Sequence, residues 1–205
     1  MAINTNTWNR LRYTLYAPLY DAVVQVFTKY RKQAVDMLDL EGTEKILIVG
    51  AGTGSDLPFL PKTAAIEAVD ITPAMVDRIK NRAEALHLHV NAQVMDGQNL
   101  KLEDNRFDAI ILNLILAVIP DPVACLQETE RVLKPGGKIV VFDKFLPDMA
   151  KVSLFRKLLN LITNTFFSDI TRKLGDIVAE TSLIKIYEKP AALKGVFKLV
   201  LLKKP

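Results

Sequence analysis

The sequence predicts an α/β fold, a mostly parallel sheet with helices on both faces. From residue 45 onward, short apolar runs alternate with helical stretches. The first run opens directly into a glycine-rich turn, and the second ends on an aspartate. Repeated strand–helix units require right-handed crossovers, which lay the strands parallel.

Taken in order, KILIVG (45–50) reads as a buried strand entering the turn AGTGSD. AIEAVD (65–70) is a second strand. Residues 71–86 follow as a helix, with Thr72 placed to cap it, Pro73 suited to its first turn, and Met75, Ile79, Ala83 and Leu86 on one face. HVNAQVMD (89–96) and FDAIILNLIL (107–116) supply the third and fourth strands. PDPVACLQETERVL (120–133) is a helix halted by Lys134-Pro135-Gly136-Gly137, before a fifth strand at KIVVFD (138–143). Two more strands are expected at 182–188 and 196–204. The whole reads as one domain over 1–205: an N-terminal helical cover (1–40), a central core (41–145), then a helical insertion with C-terminal strands (146–205).

Half of the 205 residues are hydrophobic and about a quarter charged, the balance of a globular domain. No apolar stretch approaches the twenty residues of a membrane span, and the N-terminus lacks the apolar run of a secretory signal, so a cytoplasmic setting is expected. The single cysteine, Cys125, excludes an internal disulfide and a cysteine metal cluster, and no metal is expected. Charge is unevenly spread: five basic residues and one acid in 1–32, ten against seventeen in 33–143, twelve against five in 144–205. An acidic middle between basic ends suggests a ligand-binding core with flanks that meet something anionic; solvated lysines on terminal elements are the plainer alternative.

The chemistry-bearing feature is Gly50-Ala51-Gly52-Thr53-Gly54 after a strand. Glycines there allow a tight turn and let a ligand approach the backbone. The dinucleotide fingerprint G-x-G-x-x-G also follows a first strand, but Ser55 stands after Gly54 and the spacing is G-x-G-x-G. Asp70, closing the second strand, can accept from both hydroxyls of a ribose in either kind of site. Asp96-Gly97, after the third strand, offers a carboxylate and a backbone amide suited to the edge of an adenine ring. Each acid could instead cap a turn.

The motifs VGAGTG, AVDITPAMVDRIKNRA, VMDGQNL, FDAIILN and RVLKPGGKIVVFD, in this order and spacing over about 40–145, resemble those of the class I, Rossmann-like S-adenosylmethionine-dependent methyltransferases. The resemblance implies a seven-stranded sheet of order 3-2-1-4-5-7-6 with strand 7 antiparallel. It also implies S-adenosylmethionine as cofactor: Gly50, Gly52 and Gly54 at its methionine end, Asp70 at the ribose, Ile71 on the adenine face and Asp96 at the adenine amine, with Ala51, Met75 and Gly97 also among the cofactor-binding residues. Asn113 is implied near the transferred methyl. One departure stands out: many members carry an acid two residues before the first glycine, where this chain has Ile48.

A finer resemblance, through YAPLYD (16–21), LILAVIPDP (114–122) and KGVFKLVLLKK (194–204), is to bacterial phosphatidylethanolamine N-methyltransferases, and less closely to quinone and sterol C-methyltransferases. It implies an N-terminal helix closing over the cofactor, with Tyr16 and Tyr20 beside the sulfonium, where an aromatic face stabilises a cation. Tyr20 and Asn113 are the catalytic candidates, and the catalytic residue is otherwise unassigned. Asp143 and Lys144 could contact an acceptor. The stretch 151–174 surrounds Leu154, Phe155, Leu158, Leu161, Ile162, Phe166 and Phe167 with Lys151, Arg156, Lys157, Arg172 and Lys173. Such a segment suits a lid over a lipid or small-molecule acceptor, a peripheral contact with an anionic membrane, or a helix buried on the core. No aromatic platform or arginine cluster points to nucleic acid. The rival classes are a nicotinamide-dependent oxidoreductase and a non-catalytic S-adenosylmethionine-binding protein.

Overall fold

The computed structural model of the chain describes residues 5–11, 25–149, 153, 160, 163 and 168–205; Tyr16, Tyr20 and most of the stretch 151–167 lie outside these described residues. Seven strands form one sheet: β1 (Lys45–Val49), β2 (Ala65–Asp70), β3 (Val90–Val94), β4 (Phe107–Asn113), β5 (Leu133–Lys144), β6 (Ile184–Pro190) and β7 (Phe197–Lys203). Their order is β3-β2-β1-β4-β5-β7-β6. The first five pair in parallel, and β7 runs antiparallel to both β5 and β6. The predicted order and the single reversed strand are both observed.

Residues 6–11 form a helical turn, α1. The remaining helices used below are α2 (Thr28–Asp36), α3 (Pro73–Ala85), α4 (Pro122–Val132) and α5 (Leu174–Val178). Side chains alternate across each strand, and this parity divides the core in two. Ile46, Ile48, Ile111, Val140 and Phe142 pack on one face with Ala34 and Val35 of α2 and Ile79 and Ala83 of α3. Leu47, Val49, Ile110, Leu112 and Val141 pack on the other with Cys125 and Leu126 of α4 and Ile177 of α5. With both faces covered, β1 and β4 need apolar residues at nearly every position, which is why they read as unbroken runs. Burial pushes the Cys125 thiol up to about 12, so it packs as a small apolar group.

Phe142 is the hub of the α2 face. Its ring lies 5.7 Å from Phe27, 5.7 Å from Tyr30 and 5.6 Å from Phe197, joining the start of α2 to β5 and β7. Helix α4 begins as its sequence requires, with Asp121 Oδ1 accepting from Val123 N and Ala124 N at 3.0 Å and Pro122 in the first turn. Thr72 occupies the N-cap position of α3, but its hydroxyl makes no cap bond. Asp70 takes the Thr72 amide instead, at 2.9 Å.

Three boundaries differ from the sequence reading. β4 stops at Asn113 because Leu114 takes a left-handed φ of 63° and turns the chain off the sheet. β3 is shorter than residues 89–96. The Lys134–Gly137 break falls inside β5: Leu133, fully buried, pairs with Phe107, and the register shifts before Lys138 pairs with Ala109. Burial of one leucine there outweighs the local preference for a turn. At the far edge, β6 carries a register irregularity between Lys185 and Tyr187 and ends on Pro190, with Ile184, Ile186 and Tyr187 about half exposed.

Truncating the hub tests this packing. Phe142→Ala should lower the free energy of unfolding by about 3–5 kcal/mol, read as a shift in the urea midpoint at unchanged m-value.

Candidate functional site

In a parallel sheet the strand C-termini share one edge, and the loops that leave them meet there. At this edge a cleft partly open to solvent is lined by Val49, Gly50, Gly52, Asp70, Ile71, Met75, Met95, Asp96, Gly97, residues of the loop after β4, and Asn6 and Asn9. Two contributors far apart in sequence, α1 and the β4 loop, meet directly, Asn9 Nδ2 donating to Val118 O at 3.5 Å.

The turn after β1 is possible only with glycine at its first position. Gly50 has φ +66°, and a Cβ there would lie 2.6 Å from Ile115 Cδ1. The turn is tied to the second strand by Asp70, whose Oδ2 accepts from Gly52 N and whose Oδ1 accepts from Thr72 N, both at 2.9 Å. Burial pushes the Asp70 carboxyl above the ordinary carboxylate value, opposed by these amide bonds. Each oxygen accepts one amide and retains a second lone pair.

Asp96 is held by amides from two directions. Its Oδ2 accepts from Asn6 Nδ2 at 2.6 Å, and its Oδ1 accepts from Gln98 N and Gln98 Nε2 at 3.0 Å. Gln98 Nε2 also donates to Asn6 Oδ1, and its Oε1 accepts from Asp121 N at 2.7 Å, so α1, the β3 loop and the start of α4 are joined. Gly97 is required by closeness: a Cβ would meet Val49 Cγ1 at 2.7 Å.

The third wall is the loop after β4, which contributes Leu114, Ile115, Val118, Ile119 and Pro120. Ala117 N donates to Asp143 Oδ2 at 2.9 Å, and Lys144 N donates to Asp143 Oδ1 at 2.8 Å. Burial raises the Asp143 carboxyl to about 6 against these bonds and the nearby Lys144 and Arg172 charges. Beneath the glycine turn lies a buried polar set: Arg31 Nη1 pairs with Asp56 Oδ2 at 2.7 Å, and Asp56 Oδ1 accepts from Asn113 Nδ2 at 2.8 Å.

Of the residues singled out from sequence, Gly50, Gly52, Asp70, Ile71, Met75, Asp96 and Gly97 come together on the cleft. Ala51 is buried behind it, donating to Val69 O. Gly54 is likewise not a lining residue, its amide closing the turn onto Ala51 O. Asn113 was expected to line the cleft and does not: it shares the α2 face with Ile111, and its amide is turned onto Asp56. Asp143, expected as an acceptor contact, is 2% exposed and committed to two backbone amides. Lys144 Nζ donates to Ser168 Oγ. Tyr20 falls outside the described residues. Sequence reasoning did not single out Asn6, Asn9, Val49, Met95 or the loop residues as lining, although all but Asn6 and Asn9 lie within the motifs VGAGTG, VMDGQNL and LILAVIPDP. Among the described residues no group of three or more His, Cys, Asp or Glu is placed to hold a metal ion.

Comparison with known proteins agrees with this geometry. Residues 47–141 match a family described as "Methyltransferase domain". The chain is 26% identical over 155 residues to a phosphatidylethanolamine N-methyltransferase of Cereibacter sphaeroides, covering 75% of this chain and 76% of that one. It is 34% identical over 115 residues to a demethylmenaquinone methyltransferase of Tropheryma whipplei, covering 56% of this chain but only 47% of the relative, so it spans about half of that protein's length. Among solved structures, a geranyl diphosphate C-methyltransferase from Streptomyces coelicolor A3(2), in complex with Mg2+, geranyl diphosphate and S-adenosyl-L-homocysteine, superposes with a TM-score of 0.73 at 15% identity. That superposition covers 88% of this chain and 81% of that one, and it speaks for the fold.

The raised Asp143 carboxyl fixes the sign of a pH effect. The folded value lies above the unfolded one of 3.8, so the folded state holds the extra proton between the two. The group's contribution to stability is then present below pH ~4 and lost as pH rises through ~6. Urea unfolding of the wild type and Asp143→Asn from pH 4 to 7.5 should give a stability difference that declines across this window and is level above it. A difference independent of pH would show that Asp143 titrates as an ordinary carboxylate.

Proposed function

We propose that this chain, which belongs to the class I S-adenosylmethionine-dependent methyltransferases, methylates the amine of a phospholipid headgroup such as phosphatidylethanolamine. The observation that carries the reading is the similarity to the Cereibacter enzyme, which runs through three quarters of both chains and so extends beyond the shared cofactor core. The basic excess of residues 144–205 supports it, since such a flank favours approach to an anionic surface.

The cleft fits the cofactor on its own chemistry. Gly50 and Gly97 leave the backbone bare where a side chain would collide, Asp70 offers lone pairs to a pair of hydroxyls, and Asp96 accepts from amide N–H groups, the bond an adenine amine would make. Ile71 and Met75 add an apolar surface for the flat ring. When bound, the cofactor supplies a methyl group made electrophilic by its sulfonium. The chain's part is positioning and exclusion of water by the apolar wall of Leu114, Ile115 and Val118. An amine acceptor must arrive uncharged to attack, and no residue is needed as a dedicated base.

A second reading, methylation of a quinone-like or small soluble acceptor, draws on the Tropheryma relative. Methyl transfer from labelled cofactor to phosphatidylethanolamine vesicles, a demethylated quinone and a soluble metabolite extract separates the two. Vesicle sedimentation at low and high salt accompanies the assay. Labelled phospholipid with salt-sensitive vesicle binding is the expected result; efficient labelling of a soluble acceptor without vesicle binding would overturn the lipid reading. For the cofactor, Asp70→Ala should weaken S-adenosylmethionine binding by about 1.5–3 kcal/mol by calorimetry, and unchanged affinity would place the ribose elsewhere.

A further inference from the structure

The loop after β4 supplies five residues to the cleft wall, yet little in its own sequence holds it there. Leu114 at its start is in the left-handed region, a conformation a non-glycine residue keeps only where its surroundings over-determine it. Internally the loop makes one short turn, with Val118 N and Ile119 N both donating to Ile115 O at 2.9 Å. Of its carbonyls, Val118 O accepts from Asn9 Nδ2 at 3.5 Å, while those of Leu116, Ile119 and Pro120 take their donors from much further along the chain.

Those carbonyls converge on one side chain. Arg172 Nη1 donates to Leu116 O at 2.5 Å and to Ile119 O at 2.7 Å, and Arg172 Nη2 donates to Pro120 O at 3.3 Å. The guanidinium is itself braced by Asp169, with Nε 3.6 Å from Oδ2, while Asp169 Oδ1 accepts from Thr171 N and Thr171 Oγ1 at 2.7 Å. Asp169 N donates to Ala117 O at 2.7 Å, and the Ala117 amide goes to Asp143. The fork geometry matters: Nη1 alone bridges the carbonyls of Leu116 and Ile119, and the second nitrogen of the fork adds Pro120, so an ammonium in the same place would hold only part of the set. Arg172 is only slightly exposed, so these bonds form where water competes poorly.

We infer that Arg172 is a positioning residue for cofactor binding: it fixes the cleft wall at Leu114–Pro120 from outside the matched family region, 52 residues or more along the chain from the carbonyls it holds. The inference rests on the cleft being the cofactor site. Its effect is on affinity, through the place of Ile115, Val118 and Ile119, and not through contact with the ligand.

The test uses the full chain and S-adenosylhomocysteine as the probe, with affinity read by calorimetry well below the unfolding temperature. Arg172→Ala should weaken binding by about tenfold to a hundredfold, the cost of losing charge-assisted bonds converted to affinity. Arg172→Lys should recover only part of it. Guanidinium ion at non-denaturing concentration should tighten binding to Arg172→Ala by several fold, and ethylammonium should do so less. If Arg172→Ala does not fold, Arg172→Lys carries the same measurement, with guanidinium then expected to have no effect. Affinities within about twofold of wild type, with only the unfolding temperature lowered, would overturn the inference and show Arg172 as a purely structural residue. No binding by the wild type itself would instead sink the assignment of the cleft.

Discussion

β1 can leave the sheet at Gly50 only through a left-handed turn, and only without a side chain, because Ile115 fills the space above it. The two facts are linked. Ile115 reaches that position because Leu114 takes a left-handed φ of its own at the end of β4, so two neighbouring strands end in matching turns that interlock. From the first turn Gly52 N–H reaches Asp70, which in turn holds the amide at the start of α3. The second turn lifts the β4 loop over the cleft. Remove the glycine and neither loop can stay where the other needs it.

Under this interlock lies a cost. Arg31 and Asp56 are 4% and 2% exposed at their side chains, and an ion pair that dry gains little net stability because both charges give up water. What the pair supplies is definition. A carboxylate can only accept, so the Asn113 amide must present its NH2 group to Asp56, and α2, the segment after the glycine turn and the end of β4 are held in one arrangement. Ile48 packs into the apolar core on this face of the sheet, and the buried carboxylate close to the glycine turn is that of Asp56.

Most of the sheet was legible because its signals are local. An apolar run, a glycine turn and an acid at a strand end each declare themselves within six residues, and Gly50, Gly52, Asp70, Asp96 and Gly97 meet on the cleft as read. What was not legible depends on partners distant in sequence. Asn6 meets Asp96 across 90 residues, and Arg172 reaches the β4 loop across more than fifty. Asn113 shows a different failure: its position at a strand end suggested the cleft, while its parity with Ile111 places it on the α2 face. Thr72 has the right identity for a cap, yet Asp70 was already placed to take its amide. Leu133 belongs to β5, despite the Pro-Gly-Gly after it, because a buried leucine opposite Phe107 outweighs a turn preference.

The open edges of the sheet have a consequence for the protein in a crowded solution. An edge strand offers a row of unpaired amides and carbonyls to any other strand, its own copies included. β6 forms one such edge and shows half-exposed Ile184, Ile186 and Tyr187, the kind of surface on which chains stack into aggregates. Its irregularity between Lys185 and Tyr187 breaks the regular spacing of that row, Lys185 and Lys189 place charge along it, and Pro190 lacks an amide to offer. β3 guards the opposite edge with Asn91 and Gln93. A strand that must be apolar enough to join the sheet is thus made a poor template for joining another.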